Sequence, residues 1–238
     1  MDRNAAEALA RDEHRPATRS ALASGVAARL VSGFDSREDF SDPFRHWIVR
    51  RVFPGDILES LRRLPTAPAP VDGPSGKREL RNETRRYFDV ATNARIAACG
   101  AVADAFQSAR VVAAIEGGTA ADLSGTCVRI EYAQDTNGFW LEPHTDLGVK
   151  RLTMQIYMSA GAEQGDLGTD LYSRPGSRTR RIAFEDNSAL IFVPGPDTWH
   201  GLERRPIVGV RRSIIVNYVT GDWLAREQLA CPASPVRA

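Results

Sequence analysis

The chain has 238 residues, of which 42% are hydrophobic and 26% are charged, and its formal net charge is +1. This composition is typical of a globular protein with a sizeable core. A charge so close to neutral gives no electrostatic signature for nucleic acid or an anionic membrane surface. No apolar run reaches the roughly 20 residues that a membrane helix requires, and the first residues lack the apolar core of a secretion signal.

The basic and sulfur-containing residues indicate little by themselves. The three cysteines, Cys99, Cys127 and Cys231, are widely spaced and odd in number. A disulfide framework is therefore not expected, and this pattern favours a reducing cytoplasm. Of the 31 basic residues, only Lys77 and Lys150 are lysines. Arginine is so abundant that each arginine has to be argued from its position.

The N-terminal part is predicted to support a single domain. Residues 1–20 are expected to form a polar tail or a frayed helix, and residues 21–230 one domain. The segment HWIVRRVFP, residues 46–54, is rich in β-branched and aromatic residues and predicts a strand. A short helix capped by Asp56 should follow. Its apolar side would carry Ile57, Leu58, Leu61 and Leu64.

The middle of the chain changes from a loop to helical spacing. Residues 65–77 are rich in proline, glycine and small side chains, which predicts a loop, and residues 65–90 are a candidate lid. From Thr92 to Ile115, apolar residues at helical spacing predict one helix or two, packed against the outside of a sheet.

The C-terminal half predicts a β-rich domain. From Cys127 onward, segments of four to nine residues rich in β-branched and aromatic residues are separated by turn-forming residues, which favours a sandwich or barrel. Residues 231–238 are expected to be a loose C-terminal tail. The predicted strands are residues 127–133, 151–159, 169–173, 179–184, 188–193, 199–204 and 211–219.

Two of the four histidines occur in this half, in a pattern that suggests a metal site. His144 and Asp146 are two residues apart, so an extended backbone directs both side chains to the same side. His200 lies at one end of another predicted strand, residues 199–204, whereas His14 and His46 lie in the tail and in the early strand. Two imidazoles and one carboxylate are the set that binds non-haem Fe(II) and leaves positions open. A surface hydrogen bond remains the simpler reading of an isolated His-x-Asp.

A fourth element follows in the run RRSIIVNYV. Arg211 and Ser213 share one face of the predicted strand, and Arg212 lies on the other. A guanidinium matches a carboxylate with two parallel hydrogen bonds, and the serine hydroxyl can add a third. Periodicity alone leaves open which arginine points inward, although the serine favours Arg211.

Together, His144-Thr145-Asp146, His200 and Arg211-Arg212-Ser213 resemble the HxD…H…RxS pattern of Fe(II)/2-oxoglutarate-dependent dioxygenases. The resemblance covers residues 125–220. It implies a mainly β fold with flanking helices and a double-stranded β-helix core of the jelly-roll or cupin-like kind. The HxD would follow the second core strand, with His200 on the seventh and Arg211 on the eighth.

The resemblance also implies a reaction and its cofactors. His144, Asp146 and His200 would bind Fe(II), and Arg211 and Ser213 would bind the far carboxylate of 2-oxoglutarate. Tyr132 and Tyr157 are candidates for a further hydroxyl contact to the co-substrate, and Gln155 is a weaker one. O2 and 2-oxoglutarate would be consumed, succinate and CO2 released, and a C–H bond hydroxylated, with ascorbate as reductant in vitro. The carboxylate ligand argues against halogenation.

The substrate is expected to be a small molecule, such as an amino acid or a natural-product intermediate, with no nucleic acid or membrane partner. Candidate substrate contacts, all near the ligand positions in sequence, are Arg129, Phe139, Trp140 and Trp199. The oligomeric state is left open. A metal-binding cupin-like protein that is not catalytic, or does not use 2-oxoglutarate, is the alternative, and a zinc hydrolase is a third possibility.

Overall fold

The computed structural model describes residues 18–69, 76–77, 85–159 and 161–237. Within these ranges it contains five α-helices, eleven β-strands and two short 3-10 helices. The helices are α1 (Arg19–Asp35), α2 (Gly55–Arg62), α3 (Val90–Arg95), α4 (Ala97–Gln107) and α5 (Ala109–Thr119). The strands are β1 (Glu38–Phe40), β2 (His46–Arg50), β3 (Arg85–Tyr87), β4 (Cys127–Asp135), β5 (Leu141–His144), β6 (Lys150–Met158), β7 (Asp170–Arg174), β8 (Ser177–Arg181), β9 (Ser188–Phe192), β10 (Trp199–Leu202) and β11 (Arg211–Val219).

The strands form two antiparallel sheets. The large sheet has the order β1-β2-β9-β6-β11-β4-β3, and the small sheet has the order β5-β10-β7-β8. The last eight strands in the chain, β4 to β11, are divided equally between the two sheets. This arrangement is a double-stranded β-helix with flanking helices, which confirms the predicted fold class. Strands β5, β10 and β11 are the second, seventh and eighth of these core strands, as the resemblance implied.

The helices cover one face of the large sheet. In α1 the residues Val26, Leu30 and Phe34 recur at every fourth position, so they form one apolar stripe that is at most 1% exposed. This stripe packs with Trp47 of β2 and with alternate residues of β4, β6, β9 and β11 in one continuous core. Burying each such large side chain contributes about 1.5–3 kcal/mol. The other face of the large sheet is therefore left for the small sheet and the site.

Three helical predictions need correction. Helix α1 was not predicted from the sequence; it begins at Arg19 and so includes the end of the predicted tail. Residues 1–17 lie outside the described residues. The single or double helix expected from Thr92 to Ile115 is three helices, because Ile96 and Ser108 have extended backbones. Asp56 lies in the first turn of α2 and does not cap it, since Pro54 occupies the N-cap position.

The C-terminal segment is not a loose tail. Val236 is 3% exposed, its N–H donates to the Thr126 carbonyl at 2.7 Å, and its own carbonyl accepts from Gly125 N–H at 3.0 Å. The segment thus closes one end of β4 because an apolar side chain and two backbone groups find partners there.

Within the described residues, no single helix is long and apolar enough to cross a membrane, and only the α4–α5 pair, bent by 58°, meets the length and composition criteria as a unit.

Candidate metal centre

The two histidines come together because their strands are neighbours. His144 of β5 and His200 of β10 are direct cross-strand partners, and their ring centroids are 4.4 Å apart. Gly201 permits this approach, since a Cβ atom there would lie 2.8 Å from the Leu141 carbonyl oxygen. Asp146 follows β5 by two residues. The candidate ligand atoms of His144, Asp146 and His200 all lie within 4.8 Å of one another.

Both imidazoles are oriented by backbone carbonyls. The Nδ1 atom of His144 is 2.8 Å from the Glu142 oxygen, and Nδ1 of His200 is 3.0 Å from the Thr198 oxygen. Each Nδ1 must therefore carry a proton and donate it, which leaves each Nε2 atom as an acceptor. This is the tautomer that a metal-binding histidine uses when a second group fixes its orientation.

The carboxylate of Asp146 is fixed from both sides. Its side chain is 6% exposed, Lys150 Nζ donates to Oδ1 at 2.5 Å, and Thr153 Oγ1 donates to Oδ2 at 2.6 Å. Thr153 in turn accepts a hydrogen bond from Asn217 Nδ2 at 2.9 Å. The carboxylate thus holds its orientation without a metal.

The protonation states suit a cation. Burial opposes ionisation of Asp146, but the charges of Lys150 and His200 and the two hydrogen bonds outweigh it, so the pKa of Asp146 lies below its usual range. Burial and the neighbouring His144 lower the pKa of His200 to about 4, although Asp146 acts in the opposite direction. At neutral pH, an ionised carboxylate therefore faces a neutral His200, which is the state a divalent metal requires.

Two cavities meet at His144 and Asp146, and His200 lines the inner one. The inner cavity, of about 70 Å³, lies between the sheets and is lined by the triad with Lys150, Gln155 and Arg211. The outer cavity, of about 290 Å³, is lined by His144, Asp146 and Lys150 together with Tyr87, Arg129 and Trp223. A metal on the triad would therefore be accessible from both cavities.

The structure resolves which arginine points inward. Arg211 lines the inner cavity and is 3% exposed, whereas Arg212 lies on the face that packs toward the helices with Ile214 and Val216. Ser213 shares the face of Arg211 and is fully buried, and its Oγ has no hydrogen-bond partner among the described residues. Arg211 Nε donates to the Leu167 carbonyl at 2.6 Å.

A chain of buried charges connects the two cavities. Arg129 contacts Glu131 at 2.8 Å, and Glu131 lies 3.8 Å from Arg85. Asp135 then accepts from Arg85 and from Arg211, both at 2.7 Å. All five residues are at most 4% exposed. We call them the buried charge chain; its three arginines and two carboxylates carry a net charge of +1.

Neither of the two candidate tyrosines, Tyr132 and Tyr157, lines the inner cavity. Tyr132 belongs to the core under the helices, on the face of β4 opposite to Arg129 and Glu131, which corrects the expectation that its hydroxyl reaches the co-substrate. Tyr157 is on the inner face, but its hydroxyl donates to Thr169 Oγ1 at 2.8 Å, and the ring packs against Phe184. Gln155, the weaker candidate, is the one that lines the inner cavity.

Of the four candidate substrate contacts, Arg129 lines one of the two cavities and the other three do not. Arg129 lines the outer cavity, where its guanidinium lies between the rings of Tyr87 and Trp223, 4.9 and 4.7 Å from their centroids. Neither Trp140 nor Trp199 lines either cavity: Trp140 packs against Arg204, and Trp199 is paired with Tyr172. Phe139 is buried beneath Arg85. Half of the candidate lid, residues 70–75 and 78–84, lies outside the described residues, but Gly76 lines the outer cavity.

Several residues of the site were not predicted from the sequence. Thr153 was recoverable, because it alternates with Gln155 and Tyr157 on one face of β6. Arg85 comes from a three-residue edge strand that has no clear sequence signal. Glu131 and Asp135 alternate with Arg129 on β4, and such a charged face ordinarily indicates solvent rather than a buried site.

Comparison with known proteins supports the fold. No protein-family model and no curated protein sequence matches the chain. Among solved structures, a prolyl 4-hydroxylase from Phytophthora capsici is similar with a TM-score of 0.55 and 13% identity, covering 87% of this chain and 68% of that one. A prolyl hydroxylase from Trichoplax adhaerens has a TM-score of 0.53 and 12% identity, covering 84% and 90%. A Pseudomonas putida prolyl-4-hydroxylase has a TM-score of 0.52 and 16% identity, covering 82% and 98%. The chain thus shares its double-stranded β-helix fold with these hydroxylases.

Proposed function

We propose that this protein is an Fe(II)- and 2-oxoglutarate-dependent oxygenase that hydroxylates an unactivated C–H bond of a small molecule. The observation that carries the proposal is the cluster of His144, Asp146 and His200, which lines the inner cavity and reaches the outer cavity through His144 and Asp146. Each imidazole offers Nε2, and the carboxylate is ionised. Three ligands of this kind on one side, with open space on the other, suit Fe(II).

When bound, the iron would supply O2 activation coupled to decarboxylation of 2-oxoglutarate. The protein's contribution is to hold the ligands in place. The carbonyls of Glu142 and Thr198 fix the imidazoles, while the Thr153 hydroxyl fixes one oxygen of the Asp146 carboxylate. Such outer contacts prevent the ligands from having to reorganise when metal binds.

The inner cavity suits the co-substrate because the guanidinium of Arg211 lines it. A carboxylate beside Arg211 can accept charge-assisted hydrogen bonds from that guanidinium. Ser213 Oγ, on the same face, has no hydrogen-bond partner among the described residues, and Gln155 offers a further polar contact.

The outer cavity is the proposed substrate site. Its volume of about 290 Å³ and its aromatic walls, Tyr87 and Trp223, suit a small molecule. Arg129 is placed to contact a polar group of that molecule, although Glu131 and Gln228 already occupy two of its donors at 2.8 Å each.

The test is binding of 2-oxoglutarate measured by calorimetry in the presence of Zn²⁺, which is redox-inert. We expect a single site that needs metal, and at least a tenfold loss of affinity, about 1.4 kcal/mol, in Arg211→Met. Arg212→Met is the matched control, because the adjacent guanidinium lies on the opposite face and should leave affinity unchanged.

Turnover provides the second readout. With Fe(II), ascorbate and O2, succinate should form when a library of small molecules is added, and one product should gain the mass of an oxygen atom. Metal binding without any 2-oxoglutarate binding would refute the proposal and favour a metal-binding cupin-like protein. Succinate formation that survives Asp146→Ala would contradict the ligand assignment.

A further inference from the structure

Lys150 reaches the metal centre through an irregularity in β6. Val219 of β11 pairs with Lys150, and Tyr218 pairs with Leu152, so Arg151 is an extra residue in the register. Without this bulge, Lys150 would share the face of Leu152 and point into the core under the helices. The bulge instead directs it to the face of Thr153, and such bulges commonly redirect a side chain at a functional site.

The surroundings of Lys150 differ from those of the nearby arginines. Among the cations of the described residues, only Lys150 lines both the inner and the outer cavity. Arg129 and Arg211 have buried carboxylate partners in Glu131 and Asp135. The ion-pair partner of Lys150 within the described ranges is Asp146, which is also the carboxylate of the candidate metal site.

Metal binding would therefore change the charge balance at Lys150. A divalent cation takes over the charge of Asp146, because one carboxylate cannot neutralise both. The Lys150 side chain is only 14% exposed, so its ammonium would lie beside a cation with little access to water. It would then need another anion, since an unpaired charge in such a place is costly. Repulsion between the two cations acts in the same direction.

We propose that Lys150 is an anion-binding residue that becomes available when metal binds. In the metal-free protein it pairs with Asp146 and holds that carboxylate in place; in the loaded protein it receives a carboxylate of a ligand beside the metal. This inference rests on the proposed metal site. The carboxylate belongs either to 2-oxoglutarate or to the substrate in the outer cavity.

Calorimetry on three forms of the protein tests the charge exchange: wild type, Lys150→Met and Lys150→Arg, which keeps the charge. Lys150→Met should bind Zn²⁺ about tenfold more tightly, because a competing cation is gone, and bind a carboxylate ligand of the zinc-loaded protein about tenfold more weakly. Lys150→Arg should resemble wild type in both. Opposite shifts in one variant cannot arise from misfolding, which would weaken both.

The two sources of the carboxylate are separated by NMR, because the whole chain contains two lysines, Lys77 and Lys150. A protein labelled with ¹³C-lysine gives two side-chain signals, assigned with Lys150→Met, and Lys77 serves as internal control. If 2-oxoglutarate is the ligand, it shifts the Lys150 signal of the zinc-loaded protein. If the substrate carboxylate is the ligand, benzoate, used as a probe of the substrate site, shifts that signal in the protein loaded with zinc and 2-oxoglutarate. The uncharged analogue benzamide does not.

Two results would overturn the inference. One is a Zn²⁺ affinity that is unchanged or lower in Lys150→Met. The other is a Lys150 signal in the zinc-loaded protein that responds to neither carboxylate. Either result, with 2-oxoglutarate affinity still dependent on Arg211, leaves the proposed function intact. If 2-oxoglutarate affinity does not depend on Arg211, while the Lys150 signal still responds to zinc, then the proposed co-substrate is wrong and the inference about Lys150 stands.

Discussion

Asp135 is the residue on which the buried charge chain depends most. Its two oxygens accept from Arg85 and Arg211 at 2.7 Å each, and its side chain has no exposed surface. Asp135→Asn leaves two buried guanidiniums without their shared counter-charge. Removing one partner of a buried ion pair costs about 3–5 kcal/mol. In a domain of this size, about 4 kcal/mol lowers Tm by roughly 8–16 °C.

The assay is thermal and urea unfolding of the metal-free protein, followed by circular dichroism. Asp166→Asn is the matched control, because Asp166 pairs with Arg181 at 3.1 Å but its side chain is 80% exposed, and such pairs contribute about 1 kcal/mol or less. The double variant Asp135→Asn/Arg211→Met should be less destabilised than the sum of its singles, since the second change removes one of the unpaired charges. A melting temperature of Asp135→Asn within about 2 °C of wild type would refute the reasoning.

Three further predictions concern pH, Tyr157 and the C-terminus. The folded protein lowers the pKa of His200 to about 4, so the unfolded chain binds that proton more tightly. The free energy of unfolding should therefore decrease as the pH is lowered from about 6.5 to 4. In urea titrations His200→Gln should flatten this decrease, and an unaltered slope would contradict the prediction. Tyr157→Phe should cost about 1 kcal/mol by urea unfolding through loss of the Thr169 hydrogen bond, with 2-oxoglutarate affinity changed less than about threefold; a tenfold loss would mean that the hydroxyl contacts the co-substrate after all. Truncation after Ala230 should lower the free energy of unfolding by about 2 kcal/mol or more through loss of buried Val236. This should appear as a lower Tm, whereas an unchanged Tm would mean that residues 231–238 behave as a loose tail.

The parts of the site that the sequence predicted follow the period of two in an extended chain. His144 and Asp146 share a side for that reason, and so do Arg211 and Ser213. The same rule did not decide between the faces of β4, all of whose residues are buried in the structure. The two candidates on that strand, Tyr132 and Arg129, lie on opposite faces, and the packing of the helices on the Tyr132 face leaves Arg129 on the side of the site.

Other features depend on contacts that no local pattern encodes. The bulge at Arg151 reverses the face of Lys150, and nothing in the letters VKRLT distinguishes it from regular alternation. Helix α1 has a stripe of Val26, Leu30 and Phe34, but its first turn adjoins a polar segment that suggested a tail. The short strand β3, which supplies Arg85, forms because β4 offers it an edge, and three residues are too few for a periodic signal.

The division of the large sheet explains how the protein tolerates so much buried charge. Its helix-facing side contributes mainly apolar packing, together with a few polar groups such as Arg212 and the Tyr218 hydroxyl, which donates to the Phe106 carbonyl at 2.6 Å. Its inner side carries the buried charge chain, whose carboxylates hold the arginines in place. Stability thus comes mainly from one face, while the other presents preorganised charge, which needs little rearrangement if a ligand binds there. A sheet with apolar residues on both faces would be more stable, but it would offer no polar groups to bind a metal or a carboxylate.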